Sequence, residues 1–226
     1  MGGETIALAE ELGHEVVAKV DKKEGYLNDF SLFDGKADVA IDFSSPSFTE
    51  ELIRFALERK LPLVVATTGQ SEYELGLIKK ASEDIPIFLS PNLSLGLAQT
   101  IKAAKNIISA FPDADVEIVE RHHAQKADSP SGTALFIAKK LSRRAVYGRV
   151  GKKKRGEIGI SSVRCGNIVG AHEIIAAFGD EVITLRHEAQ SRRVFALGAL
   201  AAAEKIVNER NGLFDVFSLI DEDKIL

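Results

Sequence analysis

Apolar residues follow two rhythms along this chain. Through the first third, A-D-V-A-I-D-F (37–43), L-P-L-V-V-A (61–66) and I-P-I-F-L-S (85–90) are nearly continuous apolar runs, separated by stretches of helical periodicity. Such short runs predict parallel strands covered by helices on both faces. H-E-V-V-A-K-V-D (14–21) predicts a further strand. Glu4 to Leu12 predicts a helix closed by Gly13, which can adopt the left-handed conformation past a helix end. A second helix should begin at Pro46, capped by Ser45, and run to Arg59; a third should end near Ser82.

From Leu93 the rhythm changes. A long helix (Leu97 to Phe111) leads into the strand D-V-E-I-V-E-R, a polar loop and a helix from Ser131 to Leu141. After a basic connector come three β-rich runs, E-I-G-I-S-S-V-R, H-E-I-I-A-A-F and E-V-I-T-L-R-H-E, the last two joined by a Gly179-Asp180 turn. Lys152 to Arg155 reads as a solvated loop. The Ala-rich helix F-A-L-G-A-L-A-A-A-E-K-I-V should return to cover the first region.

The fold class expected is therefore α/β: a Rossmann-like doubly wound parallel sheet in residues 1–93, completed by 192–226, and a mixed-sheet α+β domain in 94–191. A doubly wound fold opens on a strand and a glycine turn, whereas this chain opens on the helix that should follow them. The missing strand would be central, so the expectation is a start that is misplaced or trimmed; the alternative is a cofactor cradle largely lost.

Composition narrows the class. A single cysteine, Cys165, cannot form an internal disulfide and favours a reducing compartment. The net charge of -4 gives no general reason to expect nucleic acid or an anionic membrane as partner. No apolar run approaches the ~20 residues that span a bilayer, and the acidic amphipathic start is unlike a signal peptide, so the cytoplasm is expected.

Candidate chemistry lies at strand ends. Asp21 falls about 20 residues after Met1-Gly2, where such folds place the carboxylate that grips the adenine ribose; Lys22 and Lys23 beside it leave both NADH and NADPH open. Ala66-Thr67-Thr68-Gly69 and Ser90-Pro91-Asn92-Leu93 follow two strands, at the edge where open α/β sheets bind ligands, and their small residues let a flat nicotinamide approach. His122 and His123 follow another strand directly. Adjacent side chains of a strand point to opposite faces, so the pair is poorly placed to chelate one metal, and no metal is expected. Lys126 follows, and Ser131-Gly132-Thr133 opens a helix whose free N–H groups favour an anion, while Ser131 can also cap it. Ser129 or Ser131 as a nucleophile finds no G-x-S-x-G elbow and no identifiable orienting acid.

The stretch E-R-H-H-A-Q-K-A-D-S-P-S-G-T-A closely resembles the signature loop E-x-H-H-x-x-K-x-D-x-P-S-G-T-A of the dihydrodipicolinate reductase family. V-A-I-D-F-S-S-P, A-T-T-G, P-N-L-S-L-G, S-S-V-R-C-G-N-I-V-G-A-H, S-R-R-V-F-A-L-G-A and G-L-F-D agree in the same order. The resemblance implies reduction of a cyclic unsaturated dicarboxylate by NADPH or NADH on the route to diaminopimelate and lysine, in a homotetramer built through the second domain. It implies His122 as proton donor, Lys126 as its catalytic companion, and His123, Gly132 and Thr133 as substrate contacts. Asp21, Ala66, Thr67, Thr68, Ser90, Pro91, Asn92 and Leu93 match nicotinamide-cofactor contacts. The chain departs from the family twice: of the G-x-x-G-R-M-G fingerprint only Met1-Gly2 corresponds, and Ala66 replaces a glycine, its methyl tightening the pocket while its backbone atoms stay available. A non-catalytic relative that binds the dicarboxylate is the alternative reading.

Overall fold

A computed structural model describes residues 1–149 and 151–220, so the last six positions of the 192–226 segment lie outside the described residues. The chain divides into two compact units, Met1–Ser94 with Arg193–Leu226, and Leu95–Arg192.

In the first unit β1 (Ala40–Asp42), β2 (Leu63–Val65), β3 (Pro86–Leu89) and β9 (Gly212–Phe214) form one sheet in the order β1-β2-β3-β9, every pair parallel. Strand alternation divides its apolar residues. Leu63, Val65 and Ile87 join Leu52, Ile53 and Ala56 of α2 (Thr49–Arg59) and Ile78 of α3 (Glu72–Ala81) in one core. Val64 and Phe88, also fully buried, turn to the opposite face. There α6 (Arg193–Ile206) packs on β2 and β3, and α1 (Gly2–Glu11) packs on α6 through Leu8, Ala9, Ala196 and Leu200. Helices therefore cover both faces of a parallel sheet, as the continuous apolar runs require. α1 ends at Glu11 with Leu12 as its cap, and Gly13 follows at φ +85°, a conformation that only glycine adopts cheaply.

Three expectations change here. Residues 14–21 form no ladder: among the described residues their only pairing is an isolated bridge, Val20 to Leu27, and an apolar run without a partner strand is merely extended chain. Ser45 makes no side-chain cap; its hydroxyl lies 3.1 Å from that of Ser47, and a 3-10 turn, Pro46–Phe48, precedes α2. The sheet also gains β9, whose three residues are too short to show a period.

The second unit is a five-stranded sheet in the order β5-β6-β4-β7-β8, comprising β5 (Arg144–Tyr147), β6 (Glu157–Arg164), β4 (Asp115–His122), β7 (Ala171–Phe178) and β8 (Glu181–Glu188). β4 is central, parallel to β6 and antiparallel to β7. Gly179 at φ +54° closes the β7–β8 hairpin. Every second residue of β4 (Val116, Ile118, Glu120, His122) is buried, and α4 (Leu95–Ala110) meets that face, Ala104, Ile107 and Ile108 against Ile174, Ala176, Ile183 and Leu185. The intervening residues Glu117, Val119 and Arg121 are only half-buried. In the basic connector Lys152, Lys154 and Arg155 are exposed as expected, and Lys153 alone of the four turns inward. Lys153 Nζ donates to the Val116 carbonyl at 2.7 Å and to Glu117 Oε1 at 3.0 Å, a buried-stem arrangement the sequence does not announce.

Candidate active site

β4 ends in two buried polar side chains of one face, Glu120 and His122, two residues apart. Glu120 is fully buried and would be costly there without donors. It has several. Arg164, paired in register with His122 at the end of β6, brings Nη1 to Oε2 and Nη2 to Oε1, each at 2.8 Å, a two-pronged charge-assisted contact. The Ser131 backbone N–H donates to Oε1 at 3.1 Å, Ser162 on β6 adds a hydrogen bond, and His122 Nδ1 lies 2.5 Å from Oε2. Burial pushes the Glu120 carboxyl up, but these donors outweigh it and hold it at about 2.

Burial likewise leads for His122 and lowers it from the ordinary histidine value. The Glu120 hydrogen bond and charge oppose the shift, while the charges of Lys126 and Arg164 reinforce it. In the register row of Glu120 stands His172 of β7, and next to it His187 of β8. The His122 and His172 rings meet edge to face, with centroids 5.2 Å apart. Burial above all, with the charge of His122 next, pulls His172 down to about 3; burial also lowers His187. His172 Nε2 lies 3.3 Å from Ser131 Oγ, which caps α5 (Gly132–Lys140) by accepting the Ala134 N–H at 3.2 Å.

The loop between β4 and α5 carries the remaining charge. Lys126 Nζ is 2.6 Å from Asp128 Oδ1, and the Gly132 N–H donates to Asp128 Oδ2 at 3.3 Å, so one carboxylate bridges the lysine and the first amide of the helix. Arg164 Nη2 also donates to the Asp128 carbonyl at 2.6 Å, tying the loop to β6. His123 is half-buried, and its carbonyl accepts the Lys126 N–H at 3.2 Å, closing the turn that presents the lysine. Of the residues expected from the sequence, His122 at the end of β4 is joined by Lys126, whose charge it feels, and Asp128 links Lys126 to Gly132; Thr133 follows Gly132 in the first turn of α5, and His123 lies just past the end of β4.

Sequence reasoning missed four participants here: Glu120, Arg164, His172 and Asp128. An acid that orients a histidine does exist, contrary to expectation, and it is Glu120. Its signal was available, since a carboxylate two residues before a histidine on one strand must share its face. Arg164 and His172 arrive by strand pairing across 44 and 52 residues respectively of separation from Glu120, as their bonds and register show, and carry no local signal. Among the described residues no group of three or more His, Cys, Asp or Glu side chains is placed to hold a metal ion.

The first unit offers the carboxyl ends of β1, β2 and β3. Thr67 is buried, and its hydroxyl accepts the Ser44 N–H at 2.8 Å; Gln70 donates to its carbonyl at 2.9 Å. The Ala66 N–H donates to the Asp42 carbonyl at 2.9 Å, so this backbone group is engaged rather than available. Thr68 is exposed. Ser90 is buried and donates to the Asn92 carbonyl at 2.7 Å, the Asn92 side chain accepts the Ser94 N–H at 2.9 Å, Pro91 is exposed, and Leu93 is buried beneath them. Gly198 of α6 explains how closely that loop sits: a Cβ there would fall 1.8 Å from the Leu93 carbonyl oxygen. Asp21 is exposed; its Oδ1 accepts the Lys22 N–H at 2.7 Å, and Lys22 Nζ stands 5.6 Å from the Phe48 ring, anchoring this loop beside the one after β1. The exposed Asp21 carboxylate suits a ribose diol, and the exposed Thr68 and Pro91 above a buried, self-bonded strand edge suit a flat ring.

A doubly wound parallel sheet with ligand loops at its carboxyl edge, joined in one chain to a mixed sheet bearing a held histidine and a carboxylate grip, defines an NAD(P)-dependent oxidoreductase of the α/β class. Residues 1–93 match the family model "Dihydrodipicolinate reductase, N-terminus" and residues 96–220 match "Dihydrodipicolinate reductase, C-terminus". The chain belongs to this family, whose reductases use NADH or NADPH. The 4-hydroxy-tetrahydrodipicolinate reductase of Caldanaerobacter subterraneus subsp. tengcongensis is 45% identical over 221 residues, covering 91% of this chain and 88% of that protein. That of Clostridium tetani is 42% identical over 222 residues, covering 92% and 87%. The dipicolinate-bound dihydrodipicolinate reductase from Paenisporosarcina sp. TG-14 superposes with a TM-score of 0.72 at 24% identity, covering 95% and 92%, and shares the fold.

Proposed function

We propose that this chain reduces 4-hydroxy-tetrahydrodipicolinate with NADH or NADPH, on the route to diaminopimelate and lysine, and that His122 supplies the proton. The observation that carries the reading is the carboxylate grip: Lys126 and the first amide of α5 already hold a carboxylate between them, beside a histidine with one ring nitrogen committed to Glu120. A cyclic dicarboxylate offers the same functional group twice.

Reduced nicotinamide, when bound, would supply the hydride; the strand-end loops Ala66–Thr68 and Ser90–Leu93 would hold it, and Asp21 would meet the adenine ribose. The reduced ring then needs a proton on carbon. His122 lies below its ordinary value, so the free protein keeps it mainly neutral near pH 7. Two substrate carboxylates beside it favour the imidazolium, and Lys126 balances the remaining negative charge. The imidazolium donates from Nε2; Nδ1 keeps its own proton, donated to Glu120 in a hydrogen bond, and solvent restores the first. Gly132 and Thr133 at the helix start orient one carboxylate, and His123 contacts the substrate rim.

The half-buried sheet face bearing Val119, with Arg121 paired to Glu173 at 2.8 Å, suits assembly of four copies through the second unit, in the cytoplasm. The test mixes the purified chain with NADH or NADPH and enzymatically generated substrate and follows nicotinamide absorbance. Loss of absorbance that requires the dicarboxylate supports the reading. Tight binding of pyridine-2,6-dicarboxylate without turnover would assign the chain as a non-catalytic binder.

A further inference from the structure

We infer that Glu120 is a positioning residue, which with Arg164 fixes the tautomer and orientation of His122 so that only Nε2 faces the chemistry. The inference rests on the proton-donor reading of His122 given above and adds a residue to it.

Four observations place Glu120 in this role. It is fully buried, so its only partners are those the fold supplies. Its Oε2 lies 2.5 Å from His122 Nδ1, and an ionised carboxylate has no proton to give, so the proton of that bond sits on Nδ1. Both of its oxygens are also held, Oε2 by Arg164 Nη1 and Oε1 by Arg164 Nη2 and the Ser131 N–H, so the carboxylate cannot rotate away from the ring. On the other side of the ring Gly170 stands close by: a Cβ there would come within 3.2 Å of His122 Nε2. Glycine at that position keeps the Nε2 edge uncrowded.

The geometry has a chemical consequence. A neutral His122 held this way carries its lone pair on Nε2, accepts a proton there, and returns it from the same atom. Without Glu120 the neutral ring is free to place its proton on Nε2 and turn, and the imidazolium loses the anion that stabilises it. Arg164 acts through Glu120: it neutralises the carboxylate and links it to the Asp128 carbonyl, so that the histidine and the carboxylate grip keep one register.

The first test needs no variant. Nitrogen-15 NMR of the histidine-labelled, ligand-free protein should show neutral His122 with Nδ1 protonated and Nε2 bare, assigned by loss of its signals in His122→Gln. A proton on Nε2 overturns the inference, whether or not the protein proves to be a reductase. The second test is Glu120→Gln. Turnover should fall roughly 10- to 100-fold, the scale seen for groups that orient a working histidine, with the KM for NADH unchanged and the alkaline limb of the kcat/KM profile moved to lower pH, because less imidazolium survives. Glu120→Asp should recover part of the rate. An unmoved pH limb would reduce Glu120 to a structural role, and if Glu120→Gln fails to fold around an unpaired Arg164, the tautomer measurement decides alone.

Discussion

At the carboxyl end of β4, charged side chains hold one another: Glu120 grips His122, Arg164 grips Glu120, and Asp128 joins Lys126 to the start of α5. At the carboxyl ends of β1, β2 and β3 the polar groups are taken up by the loops' own backbone, Thr67 by Ser44, Ala66 by Asp42 and Ser90 by Asn92. The first region works through ionisable atoms in a low-dielectric setting, where each partner changes the proton affinity of the next. The second works through shape, presenting a small and fixed edge. Substitutions should therefore separate the two. Those at the histidine cluster should change rate and pH dependence, and those at the strand-end loops should change cofactor affinity.

The largest separation is expected from His122→Gln. Removing a positioned general acid typically costs about 10²- to 10⁴-fold in turnover, and the KM for NADH should stay near its wild-type value because the loops proposed to hold the cofactor follow other strands. Steady-state kinetics with both substrates measures this. Wild-type turnover removes His122 from the chemistry, and a raised KM for NADH breaks the division between the regions.

Acid stability should come next. His172 is held neutral down to about pH 3, whereas in the unfolded chain it takes a proton near 6.5. Between those values the unfolded state binds more protons, so stability is complete above pH 6.5 and falls as pH drops toward 3, by up to about 5 kcal/mol. Glu120 adds to the loss from its unfolded value near 4.5 down to about 2, because there its ionised, bonded form must be protonated. Urea unfolding at a series of pH values should show this slope, and His172→Gln should flatten it between 6.5 and 4.5. An unchanged slope would place the acid sensitivity elsewhere.

Gly198→Ala probes the shape-based region. The added Cβ would meet the Leu93 carbonyl at 1.8 Å, which forces α6 or the Ser90–Leu93 loop to move. Overpacking of this kind costs about 1–3 kcal/mol. The KM for NADH should rise roughly several-fold while affinity for pyridine-2,6-dicarboxylate holds, readable by calorimetry on the same preparation. A selective loss of dicarboxylate affinity would invert the assignment.

The sequence showed more of the frame than of the cluster. Continuous apolar runs at 61–66 and 85–90 made β2 and β3 legible, because a strand buried on both faces has no polar positions to confuse its period. Alternation along β4 set Glu120 and His122 on one buried face, but the strand ends at His122, so its period does not reach His123. The run at 14–21 looked equally strand-like and is not a strand, since ladder formation depends on a neighbour that composition does not describe. Arg164 and His172 escaped for the same reason. Each is an ordinary residue of its own strand, and becomes part of the site only through the register that sets Glu120 between Ser162 and His172.

Asp128→Asn should give the smallest effect and bears most closely on how an anion enters the charged region. Its carboxylate occupies two donors, Lys126 Nζ and the Gly132 N–H, that the proposed substrate carboxylate would use. Burial raises Asp128, yet the hydrogen bond and charge of Lys126 outweigh it and the carboxyl lies below its ordinary value, so it competes as an anion at any assay pH. Its side chain is 53% exposed, so solvent screens the contact and its loss should be modest. Neutralising it removes both a competitor and a like charge. The KM for the dicarboxylate should therefore fall roughly 2- to 5-fold, with less dependence on salt. A rise in KM would show instead that Asp128 holds Lys126 in its working position, and that the substrate joins this carboxylate rather than replacing it.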